Sequence, residues 1–176
     1  MPAVLQRMLE GTPPGWLRKV ETRVICGVFA KAFEVDAPHM RGLRPAEALY
    51  SLREFTAEQM EVALADGRAS DCRARLGVRA RALGTRVRRV LPIGQNTRMQ
   101  LVRYVYRGIG IELHGPIPGE LRFGPCSFAQ RYSPACCALM SAFDEGFVCG
   151  LMGLCGPLEF ESRLTEGSTC CLARIR

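Results

Sequence analysis

Ile109-Gly-Ile-Glu-Leu-His114, Gly115-Pro-Ile-Pro-Gly119 and Glu120-Leu-Arg-Phe123 follow one another in this 176-residue chain, and here the apolar period falls from helical spacing to 2. Ile109, Ile111 and Leu113 alternate with Gly110, Glu112 and His114; Leu121 and Phe123 alternate with Glu120 and Arg122. Alternation sends neighbouring side chains to opposite faces of a strand, so two half-buried strands are predicted, joined by a turn at the Gly/Pro run. Upstream of this hairpin the pattern is helical. Pro13-Pro14 opens a helix over about 14 to 33 with Leu17, Val20, Val24 and Val28 as a stripe, widened by Ile25, Phe29 and Phe33. Pro45 begins a second helix to about Phe55, and Thr56-Ala-Glu-Gln59 has the form of a capping box for a third that ends at Gly67. Ser70 or Asp71 caps a fourth, stopped by Pro92, and a fifth runs over about 97 to 107.

Downstream of the hairpin, Leu139, Phe143 and Phe147 return to a spacing of four within a helix over 134 to 155, where Gly146, Gly150 and Gly153 offer a face for close backbone approach. Leu158 to Arg163 and Cys170 to Arg176 alternate again. The expected architecture is one α+β domain over 1–176: a helical half over 1–107, packed on a small antiparallel sheet of about four strands with an inserted helix over 108–176.

Composition narrows the function classes. With 48% apolar residues the chain buries a sizeable core and is not a disordered tail. Charge, Gly or Pro interrupts each apolar run before membrane-spanning length, and the first ten residues show no signal-peptide pattern, so a cytoplasmic protein without a membrane partner is expected. The net charge of +7 is local: residues 68–107 hold eleven Arg against Asp71, leaving the remainder at −3. Cys72, Leu76, Ala80, Leu83, Val87 and Val90 form one stripe, which makes Arg73, Arg75, Arg79, Arg81, Arg86, Arg88 and Arg89 the solvated face of a helix. Only Tyr104 and Tyr106 could supply base stacking, which argues against nucleic acid as the partner.

Seven of the nine cysteines lie in the last 51 residues. A reducing compartment makes them thiols rather than a disulfide framework. Cys26, Cys72, Cys149 and Cys155 sit on apolar helix faces and read as packing groups. Cys126 ends a strand after Phe-Gly-Pro, a bent and exposed place that would present a thiol. Cys137 follows Ser133-Pro134 near a helix start, where free amides and the dipole favour thiolate. No Cys-x-x-Cys occurs; a zinc or iron–sulfur site would need Cys126, Cys137 and Cys171 to meet in space. Proton carriers are scarce. His39 is in a loop and His114 is on a polar strand face, leaving Asp144, seven residues after Cys137 on nearly the same helix face, and Glu166 in the final turn. Arg163 offers a two-pronged fork for a substrate carboxylate, or a cross-strand partner for Glu159 and Glu161.

The stretch from Phe123-Gly-Pro-Cys126-Ser-Phe128 through Cys137 and Asp144 to Arg163-Leu-Thr-Glu-Gly167-Ser-Thr-Cys-Cys171 resembles the L-2-amino-thiazoline-4-carboxylic acid hydrolase family, over about 54 residues. Cys126, Cys137 or Cys136, Asp144, Arg163, Gly167 and Cys171 stand at the positions of that pattern. Leu164 stands where the family has Thr, and Leu172-Ala173 where it has Asp-Phe. The closing segment is also distantly similar to 4-vinyl-reductase-type ligand-binding domains and to vesicle-tethering TRAPP subunits. The resemblance implies a small-molecule hydrolase that opens a C–N bond of a cyclic amidine. In that expectation Cys126 or Cys137 attacks the amidine carbon, Asp144 or Glu166 moves the proton, and Arg163, Cys171 and His114 contact the substrate. Three alternatives stand beside it: a thiolate metal protein holding Zn or Fe–S through Cys126, Cys137 and Cys171; a non-enzymatic small-molecule or tetrapyrrole-binding domain; and a cofactorless biosynthetic protein. The expected partner is a small molecule, with a homodimer left open.

Overall fold

A computed structural model of the chain describes residues 9–115, 119–154 and 156–176. Four helices come first: α1 (Gly15–Phe33), α2 (Pro45–Ala65), α3 (Ala69–Val90) and α4 (Gln95–Gly108). Strands β1 (Ile111–His114) and β2 (Glu120–Cys126) follow, then helix α5 (Pro134–Met152), strand β3 (Leu158–Ser162), a single 3-10 turn (Leu164–Glu166) and strand β4 (Cys171–Ile175). The fold is α+β: a helical N-terminal half packs on a four-stranded antiparallel sheet ordered β1-β2-β4-β3, with α5 inserted between its second and third strands.

Register places the apolar face of the sheet. Leu113 opposes Phe123, Phe123 opposes Cys171, Leu121 opposes Ala173 and Ala173 opposes Phe160. Because side chains alternate, these residues all look toward α5. The alternation fails at Glu120, expected on the wet face. It is buried, and Arg122 donates to its carboxylate at 2.8 Å.

Helix α5 is the centre of the molecule. Its start is set by Ser133, whose hydroxyl accepts the Cys136 amide at 3.2 Å, with Pro134 in the first turn; it ends at Gly153, which takes the left-handed φ of +75°. By length and composition α5 could cross a bilayer, contrary to the expectation that charge or glycine rules out every run; 72% of its apolar window is buried inside the fold. Its partner is α3. A Cβ on Gly146 would stand 2.3 Å from the Gly77 carbonyl oxygen, and one on Gly150 would stand 2.3 Å from that of Arg81. The two backbones approach closely only because these positions carry no side chain. Gly153, grouped with them from spacing, instead serves as the helix stop.

Several helical expectations change. Thr56 does not start a helix: nothing between residues 46 and 65 breaks the run, and α2 is continuous. The Thr56 hydroxyl, fully buried, donates to the Leu52 carbonyl at 2.8 Å and meets the Tyr132 hydroxyl at 2.5 Å. In α1 the stripe is rotated: Val20 and Val24 are exposed, and the buried face is Ile25, Cys26, Phe29 and Phe33. In α3, Val90 is exposed and the buried line runs through Cys72, Leu76, Ala80 and Gly84. Its arginines are not all a wet face. Arg73 bridges to Glu145 at 2.8 and 2.9 Å, Arg75 donates to the Ala32 carbonyl at 2.7 Å, and Arg81 donates to that of Leu154 at 3.0 Å. The half-buried Arg73 and Arg75 and the exposed Arg81 tie α3 to its neighbours.

Candidate functional site

Side chains from all four strands, α5, the 3-10 turn and the β2–α5 connection line a cavity of about 40 Å3. Its apolar wall is Phe123, Phe128, Tyr132 and Phe160; its polar groups are Cys126, Cys137, Ser141, Asp144 and Cys171. A wider groove of about 690 Å3 lies over α2, beside Tyr50, Glu54 and Glu58, but it is open and lined by no thiol.

Asp144 comes from the middle of α5, two turns beyond Cys137 and on the same face, as the spacing predicted. The part of its side chain still accessible opens into the cavity. The buried Tyr106 hydroxyl donates to its Oδ1 at 2.6 Å. Burial pushes the carboxyl up from 3.8 to about 7, against the Tyr106 hydrogen bond; Cys137 and Glu145 push it the same way as burial. Asp144 therefore exchanges a proton near neutral pH.

The thiols differ from one another. Cys126 is not exposed at a strand end. It is half-buried against the cavity, and desolvation raises it to about 11 despite the backbone amides of Phe128 and Ala129. Cys137 was expected, as an alternative to Cys126, to be the thiolate, because it lies near the start of α5. The structure reverses this. The free amide there is already taken by Ser133, and Cys137 instead donates its S–H to Cys171; that hydrogen bond and burial push Cys137 above the ordinary value, outweighing Thr165 and Arg163 beside it. Cys171, at the start of β4, is the acceptor. It receives the Cys137 thiol and the Leu164 backbone N–H, at 3.3 Å, and the two hold it below the ordinary value of 9 although burial, Cys126 and Asp144 oppose them. The Leu164 amide is fixed by the 3-10 turn and points at one sulfur alone, so Cys171 ionises before Cys137.

Arg163 is not part of the cavity wall but touches Ser141, which is. Its Nε donates to Ser141 at 3.3 Å, its guanidinium lies 5.4 Å from the Phe160 ring centroid, and it pairs with Glu166 at 3.3 Å rather than with Glu159 or Glu161, which pair with Arg176 and Arg174. Glu166 is exposed and outside the cavity wall, so it anchors Arg163 and is not placed to move a proton there. His114 is likewise not brought to the cavity: it is exposed on the outer face of β1, 3.6 Å from Glu112. Cys26, Cys72 and Cys149 are buried packing groups, as is Cys136. Cys155 lies outside the described residues. Among the described residues, no three Cys, His, Asp or Glu side chains are arranged to hold a metal ion; Cys126, Cys137 and Cys171 share the cavity without forming the ligand set of a zinc or iron–sulfur site.

Sequence reasoning missed Tyr106, Ser141 and Tyr132. Tyr106 was weighed only as a base-stacking residue, yet it stands four residues after Val102 on the buried face of α4, and that spacing was the signal available. Comparison with protein-family models, with curated proteins and with solved structures finds no match for this chain.

Proposed function

We propose that the protein is a small-molecule hydrolase that opens a C–N bond of a cyclic amidine of the thiazoline type, with the Cys171 sulfur as nucleophile. One observation carries the reading: a thiol that accepts two hydrogen bonds lines the same cavity as a largely buried carboxyl that titrates near pH 7. A nucleophile and a proton carrier in a water-poor pocket are the two components that thiol-dependent hydrolysis needs.

The Cys171 thiolate attacks the amidine carbon. The ring C–N bond breaks, and its nitrogen takes the proton of the Asp144 carboxyl. The carboxylate then removes a proton from water, whose oxygen displaces the carbon from sulfur and restores the thiolate. Tyr106 holds the Asp144 carboxyl toward the cavity throughout. Arg163, beside Cys137, is the cation available to a substrate carboxylate. The resemblance of the segment from Phe123 to Cys171 to the amino-thiazoline carboxylate hydrolases supports the same substrate class.

The cavity volume weighs against a tetrapyrrole as the bound molecule. About 40 Å3 is room for roughly three waters, far below the ~300–1,000 Å3 of drug-sized ligand sites, so a tetrapyrrole does not fit it. The test is incubation with 2-amino-thiazoline-4-carboxylate and related cyclic amidines, read by mass spectrometry for a ring-opened product heavier by one water. Turnover by the natural chain, lost in Cys171→Ser and retained in Cys126→Ser, is expected. No turnover of any cyclic amidine, or full activity in Cys171→Ser, overturns the assignment.

A further inference from the structure

The cavity contains more sulfur than a hydrolase uses. One thiol suffices as nucleophile, yet the Cys137 thiol lies within hydrogen-bonding distance of Cys171, reaching it from α5 while Cys171 stands on β4. These residues are 34 positions apart along the chain and meet here because the sheet closes over α5. Neither sulfur is in a disulfide, and both line the cavity. The space that opens onto these sulfurs admits molecules of a few heavy atoms.

We propose that Cys137 and Cys171 form a dithiol–disulfide couple oxidised by a small hydroperoxide entering this cavity, so that the protein carries a peroxide-reducing activity. The Cys171 sulfur attacks the terminal peroxide oxygen. The O–O bond breaks, the departing oxygen takes a proton from Asp144 and leaves as water or an alcohol, and Cys171 becomes a sulfenic acid. Cys137 then attacks that sulfur. The S–O bond breaks, the hydroxyl leaves with the Cys137 proton as water, and the disulfide forms. One peroxide is reduced by two electrons, two thiols are oxidised by two, and an external dithiol restores the pair. Cys126 is the control built into the same wall: it faces the cavity, but its hydrogen bonds come from the backbone amides of Phe128 and Ala129 rather than from a thiol, so it should stay reduced.

The couple shares the Cys171 sulfur with the hydrolytic reading but not its substrate, and oxidation would switch hydrolysis off by consuming the nucleophile. The test exposes the full-length reduced protein to hydrogen peroxide alone, blocks remaining thiols with N-ethylmaleimide and maps the peptides. A Cys137–Cys171 linkage, reversed by dithiothreitol, is expected. Cys137→Ser, whose resolving thiol is gone, should accumulate a dimedone-reactive sulfenic acid at Cys171; Cys171→Ser should lose rapid peroxide consumption with its helical circular dichroism unchanged. No linkage at these two positions, a linkage to Cys126 instead, or absence of the sulfenic acid in Cys137→Ser overturns the proposal. Peroxide is the only reactant, so the result stands apart from that of the cyclic-amidine assay.

Discussion

Replacing Asp144 with Asn removes a titrating group while keeping its shape and its ability to accept the Tyr106 hydroxyl, which now approaches Oδ1 at 2.6 Å. In the folded chain the Asp144 carboxyl is raised from 3.8 to about 7, chiefly by burial. A group raised on folding binds its proton more tightly in the native state, so its stabilising contribution is complete below about 3.8 and is lost as pH rises through 7. At ~1.4 kcal/mol per unit, the full loss is about 4 kcal/mol, of which about 3 kcal/mol falls between about pH 5 and about pH 8. The amide of the Asp144→Asn variant cannot ionise, and that protein shows none of the loss. Urea unfolding of both proteins at intervals across that range should give a stability difference that grows in favour of the variant by about 3 kcal/mol toward the alkaline end. Glu21, also pushed up to about 7 by burial, titrates in the same window in both proteins and cancels in the difference. Parallel curves, with a difference constant to within about 0.5 kcal/mol, would refute the claim that Asp144 is a buried carboxyl poised near neutrality.

Tyr106→Phe removes the hydrogen bond that favours the carboxylate, so the Asp144 titration should move above 7; carboxyl carbon shifts followed by NMR against pH check the direction. Gly150→Ala drives a methyl to 2.3 Å from the Arg81 carbonyl, backbone against backbone, and should cost about 3 kcal/mol in chemical denaturation, whereas Gly27→Ala, with open space around it, should be tolerated. Glu21→Gln should raise the midpoint of thermal unfolding at about pH 8 more than at about pH 5, because Oε2 is buried without a hydrogen-bond partner and its charge is opposed by desolvation, with Arg18 only partly offsetting it. Asp144→Asn should lower hydrolytic turnover by about 100-fold or more while leaving substrate affinity nearly unchanged, since it removes proton transfer and not shape.

The sheet and α5 were legible because their signals are local: the change of period at Ile109–Phe123 and Ser133-Pro134 as a helix start, whereas the turn expected at 115–119 lies largely outside the described residues. The split of α2 at Thr56 was misread for a physical reason. A Thr that caps a helix and a Thr that bonds back to the previous turn look alike in sequence, and what separates them is Tyr132, 76 residues away. Asp144 beside Cys137 was also readable, as two helix positions on one face. The choice of thiolate was not. It depends on the Leu164 amide and on which cysteine donates to the other, contacts that exist only once β4 lies against α5. His114 and Glu166 attracted attention as scarce proton carriers, and strand polarity and the Arg163 pairing keep both outside the cavity.

The central claim is that Cys171 ionises at lower pH than Cys126 and Cys137. Thiolate absorbance near 240 nm, followed against pH for the natural chain and for Cys171→Ser, tests it without requiring any reagent to enter the cavity. The account predicts that the difference between the two curves shows one ionisation below the ordinary cysteine value of 9, absent from the variant. A difference step that appears only above 9, or a low-pH step that survives in Cys171→Ser, would contradict it.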